Sequence, residues 1–141
     1  MIAMPPDMVR WVARNGEDND CAVTAISLAT GETYEACLVA AHNYGDPDVL
    51  TEGLGLREIR RVLSEMGYQT RLHKKFDPDE ETGILLVDGP KKNDRHAVYL
   101  WDGRIIEPSL GRRSFWLDAE TYNKHEGTTL AWLITLVKEG K

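Results

Sequence analysis

Residues 15–31 read NGEDNDCAVTAISLATG, and residues 95–109 read RHAVYLWDGRIIEPS. The first stretch passes from a turn-rich acidic segment into an apolar run with a cysteine at the junction. Ala22, Ala25, Ile26 and Ala29 recur at helical spacing, so the run predicts a helix from Asp20 to about Thr30. Asn19 or Asp20 can cap its start and Gly31 can close it. Its small, nearly uncharged residues suit a helix buried on most sides. Cys21 then falls on the first turn, where unpaired backbone N–H groups and the positive end of the helix dipole favour a thiolate.

A free thiol is only about a few per cent ionised at neutral pH, so a nucleophilic cysteine needs a base. The second stretch offers one. Asp102-Gly103 is a signal for a two-residue type I′ hairpin, which pairs Trp101 with Arg104, Leu100 with Ile105, and Val98 with Glu107. His96 shares the face of Val98, so His96 and Glu107 become diagonal neighbours with Cβ atoms about 7 Å apart or less. A carboxylate at that distance can fix one imidazole nitrogen while the other faces a thiol. Asp20 works against the thiolate unless it points outward as a solvated cap.

The rest of the chain divides at about residue 67. Thr33 can cap a second helix with Tyr34, Cys37, Leu38 and Ala41 on one face, ending near Asn43 to Gly45. After GDPDVLTEGLG, a third helix turns Leu56, Ile59, Val62, Leu63 and Met66 inward and stops at Gly67. Five strands follow: Tyr68–Leu72, Ile84–Val87, His96–Trp101, Arg104–Glu107 and Thr129–Val137. Asp118 can cap a short helix through Tyr122. The pattern predicts one α+β domain over residues 1–141, a helical half (about 1–67) packed on a mostly antiparallel sheet half (about 68–141).

Bulk properties exclude several classes. A net charge of −6 disfavours a general nucleic-acid or anionic-membrane binder. No apolar run approaches the roughly 20 residues that span a bilayer, and no signal peptide is evident. Two cysteines without a signal fit a reducing cytoplasm. Asp18, Asn19 and Asp20 lack the glycine and distal glutamate of a calcium loop, and Cys37 with His42 gives no zinc spacing. No metal or cofactor is expected. Cys37 reads as a core residue, and Arg57, Arg60 and Arg61 as a solvated helix face.

NGEDNDCAV together with HAVYLWDGRIIEP resembles the bacteriocin-processing cysteine peptidases attached to export transporters, and small free-standing papain-like domains of bacteria and phages. The resemblance implies a papain-like fold with the nucleophile at the start of a central helix. It implies Cys21 as nucleophile, His96 as base, Glu107 as the orienting acid, and Asn15 at the place of an oxyanion-hole glutamine. Three positions depart from the family pattern: Glu107 stands for an aspartate, Asn15 for the longer glutamine, and Ala22 for a glycine. The expected activity is cleavage of a peptide or isopeptide bond in a protein or peptide substrate. Deamidation or acyl transfer by the same thiol is one alternative. An inactive binding module, such as one that a phage uses against a host protein, is the other.

Overall fold

The computed structural model describes residues 21–49, 54–89, 95–107, 114–116 and 118–138. Helix α1 (Cys21–Thr30) is followed by α2 (Tyr34–Ala40), whose end widens into a π-helical turn over Ala41–Gly45, and by α3 (Leu56–Glu65). Strands β1 (Tyr68–His73), β2 (Gly83–Asp88), β3 (Arg95–Trp101), β4 (Arg104–Glu107) and β5 (Ser114–Trp116) come next. Helix α4 (Ala119–Glu126) and strand β6 (Thr129–Lys138) close the order. Asn15, Asn19, Asp20 and Pro108 lie outside the described residues.

The predicted starts and stops rest on local chemistry. The Thr33 hydroxyl accepts from the Ala36 N–H at 3.1 Å and opens α2. Glu58 folds back to accept from the Gly55 N–H at 2.6 Å and opens α3. The Asp118 carboxylate accepts from the Thr121 N–H at 2.7 Å, and these bonds hold its carboxyl below the usual range. Helix α4 runs four residues past the predicted Tyr122, ending at Gly127 with φ +70°.

The six strands form one sheet in the order β1-β6-β2-β3-β4-β5, every neighbouring pair antiparallel. Five of these strands follow from the sequence pattern; β5, only three residues long, does not. The hairpin at Asp102-Gly103 pairs Trp101 with Arg104 and Leu100 with Ile105, as the turn chemistry requires. Both turn residues have positive φ, 49° and 83°, the signature of type I′.

Both faces of the sheet are covered. On one face Ile84, Leu86, Ala97 and Ile134 pack with Ala22, Val23, Ala25 and Ile26 of α1, Cys37 of α2, and Ile59, Val62 and Leu63 of α3. Leu28 of α1 extends this layer onto Tyr99 and Ile106. The other face carries Leu85, Val87, Val98, Leu100, Ile105 and Leu133, covered by Ala119 and Tyr122 of α4. This is why β2 reads as the unbroken apolar run Ile84–Val87, all buried, and not as an alternating strand. Strand β2 also approaches β6 so closely that a Cβ on Gly83 would collide with the Ile134 carbonyl oxygen.

Candidate functional site

Cys21 heads α1 and is half-buried, packed beside the core layer that the helices share with the sheet. The first turn of α1 carries no carboxylate, so nothing within it opposes an anion at the positive end of the helix dipole. Cys37 is the other thiol and has the opposite environment. It is fully buried, and burial pushes its thiol up to about 11, a rise the Glu32 carboxylate adds to and hydrogen bonds from Thr30 and Ser27 partly offset. Such a thiol stays protonated and inert at neutral pH.

Helix α1 packs directly on β3. Leu28 shares a cluster with Tyr99 and Ile106, and Ala22, Val23, Ala25 and Ile26 share one with Ala97, so the helix lies against the face of β3 that carries Ala97 and Tyr99.

The faces differ, however. His96 pairs with Val87, and Val87 lies in the α4-side cluster. Alternation therefore sends the half-buried imidazole off the side opposite Ala97, which faces the helices. A ring leaving β3 there meets a thiol at the head of α1 only around the end of the strand. Glu107 closes β4 at a position paired with Ser114, two residues beyond Ile105 of the α4-side cluster. His96 stands on β3 and Glu107 on β4, two strands that pair antiparallel from Tyr99–Ile106 to Trp101–Arg104.

One polar residue escapes sequence reasoning. Thr24, one turn after Cys21, is fully buried, and its hydroxyl has no hydrogen-bond partner among the described residues. The only signal is a hydroxyl in a helix of small apolar residues, which also fits back-bonding to the preceding turn. Among the described residues, no three His, Cys, Asp or Glu side chains group to hold a metal, and no helix is long and apolar enough to cross a membrane.

The six-stranded antiparallel sheet, with the helix bearing Cys21 laid along β3, matches a known architecture. The chain is similar to the crystal structure of the peptidase domain of Streptococcus ComA, a bifunctional ABC transporter involved in quorum sensing. The match covers 86% of this chain and 93% of that domain, with a TM-score of 0.55 and 17% identity. The two share a fold, a helical layer packed on a mostly antiparallel sheet. No protein-family model matches the chain, and no curated protein does. At this identity the likeness speaks for the fold alone. It is nonetheless the fold that the Cys21 and His96 motifs imply.

Proposed function

We propose that the protein is a thiol hydrolase that cleaves a peptide or isopeptide bond in a protein or peptide substrate. The observation that supports this most is a half-buried cysteine heading a helix laid along the central sheet of a papain-like peptidase fold. In this reading His96 takes the Cys21 proton and Glu107 orients the ring and stabilises the imidazolium. The thiolate attacks the carbonyl carbon. The resulting oxyanion is held by the Cys21 backbone N–H and the Asn15 side-chain amide. His96 returns the proton to the leaving amine, and water then hydrolyses the thioester. An amine in place of water would give acyl transfer, and a side-chain amide as substrate would give deamidation.

A second reading is favoured by one observation: His96 leaves β3 on the side away from the helix of Cys21. If the ring does not turn around the strand end, the fold serves as a binding module without turnover. Trapping decides between them. An electrophilic peptide probe, such as a peptidyl vinyl sulfone, should modify Cys21 in the native protein, and His96→Ala should abolish that labelling while leaving the fold intact. Labelling that is absent, or indifferent to His96, would favour the binding module.

A further inference from the structure

Helix α3 carries Arg57, Arg60 and Arg61 on one side, beside β1, the edge strand of the sheet. From sequence spacing alone this is a solvated face. The structure gives it a shape. Arg57, Arg60, Arg61 and Ser64 form one wall of an open groove of about 600 Å³, and Tyr68, Gln69 and Thr70 of β1 form the other. Arg60 is committed to the fold. Its Nε donates to the Thr70 hydroxyl at 2.9 Å and its Nη2 to the Thr70 carbonyl at 3.4 Å, tying helix to strand. Arg57 and Arg61 are exposed and form no ion pair or hydrogen bond among the described residues. On the same helix the Glu58 carboxylate accepts from the Gly55 N–H. Glu65, one turn after Arg61, is exposed.

Two exposed guanidinium groups on one wall give this groove positive potential, although the net charge of the protein is −6. Their spacing narrows the class of ligand. Four residues of helix separate Arg57 from Arg61 by about 6 Å along the axis. Side chains at alternate positions of an extended chain are separated by about 6.6 Å. We infer that this groove binds an extended peptide segment carrying carboxylates at alternate positions, one on Arg57 and the next on Arg61, with Ser64 and Gln69 bonding its backbone. Guanidinium pairs carboxylates through two parallel hydrogen bonds, which suits this task better than a lysine would. The site is independent of the thiol chemistry proposed for Cys21.

The test is fluorescence anisotropy on the full-length protein with a labelled Glu-Thr-Glu-Thr-Glu-Thr peptide and its Gln-Thr repeat counterpart. The acidic peptide should bind and the glutamine peptide should bind at least about tenfold more weakly. Each exposed guanidinium–carboxylate pair changes affinity by about twofold to fivefold, so Arg57→Ala with Arg61→Ala should cost about tenfold. Raising salt from about 20 mM to about 300 mM should produce a similar loss in the native protein. Both arginines are exposed, so melting temperature should be unchanged; if the double variant does not fold, Arg57→Gln and Arg61→Gln are measured singly. Equal binding of both peptides, affinity unchanged in the arginine variants, or displacement by inorganic phosphate as effective as by unlabelled peptide would each overturn the inference.

Discussion

Comparing the two thiols is an obvious probe of the proposed nucleophile, and the burial of Cys37 sets what it can prove. Cys37 ionises at about 11 in place of an ordinary 9.0. At pH 7 about one Cys37 in ten thousand is a thiolate, against about one in a hundred for an unperturbed cysteine. An exposed but unactivated thiol would therefore outpace Cys37 by about a hundredfold, before any steric shielding. A large Cys21-to-Cys37 ratio is thus no sign of catalysis. The pH profile is. Between pH 8 and pH 6 an ordinary thiol loses about a hundredfold in thiolate and, at fixed nucleophilicity, about as much in rate. A thiolate held by an imidazolium keeps most of its rate over that range. The assay is iodoacetamide labelling with mass-spectrometric counting of each site, in the native protein and in His96→Ala. The proposed reading requires Cys21 to lose less than about tenfold from pH 8 to pH 6, and His96→Ala to restore the steep profile. A hundredfold loss in the native protein, unaltered by His96→Ala, would refute the thiol–imidazole pairing whatever the ratio to Cys37.

Burial of Cys37 also makes stability depend on pH. The folded protein holds the thiol protonated above the pH at which the unfolded chain releases it, so stability should fall as pH rises from 9 toward 11, by about 2–3 kcal/mol at the upper end. Urea unfolding across that range should show a shallower decline in Cys37→Ala, although Tyr68 and Tyr99, both raised by burial, leave a residual slope in each protein. Thr24→Val removes a buried hydroxyl that has no hydrogen-bond partner among the described residues, so it should leave stability unchanged or raise it by about 1–2 kcal/mol in thermal melts; a marked loss would mean that the hydroxyl has a partner in solution. Gly83→Ala should destabilise by about 1–3 kcal/mol, because its methyl group meets the Ile134 carbonyl and β2 cannot move away without breaking pairs to β3. With a substrate in hand, Asn15→Ala should lower kcat by about 10²–10³ while leaving thiol labelling largely intact, and full activity would reassign the second oxyanion donor.

Much of the fold is legible in the chain because its signals are local. The small-residue run after Cys21, the Thr33 cap, the stop at Gly67 and the Asp102-Gly103 turn each act within a few residues. The helices and the hairpin appear where those residues put them. The strand missed, β5, has three residues and no alternation long enough to count; its pairing with β4 alone makes it a strand. Tyr122 offers a second case. A cap at Asp118 predicts a short helix through Tyr122, and the burial of Ala119 and Tyr122 over Val98 and Leu100 anchors it; the extension to Glu126 ends at Gly127, whose φ of +70° and N–H bond to the Asn123 carbonyl close the last turn.

The candidate site shows where local reasoning stops. Alternation along β3 ties His96 to Val98, and the hairpin register keeps it near Glu107 on the neighbouring strand. Neither relation says which face the helices will cover. That choice depends on Ile84 and Leu86 of β2 and on Ile134 of β6, the last on a strand remote in sequence from β3 and unpaired with it, which share Ala97's face and receive α1 and α3. The helices therefore lie on the Ala97 side, and His96 points to the side of α4. A one-residue slip in β3 would reverse this, exposing Ala97's neighbours and bringing the ring under α1, at the cost of every buried pair from Leu85–Val98 to Gly83–Leu100. The core thus holds β3 in its register, and any catalytic meeting of His96 with Cys21 depends on the imidazole rounding the strand's first residues. On the proposed reading, the start of β3, more than the start of α1, decides between turnover and binding alone.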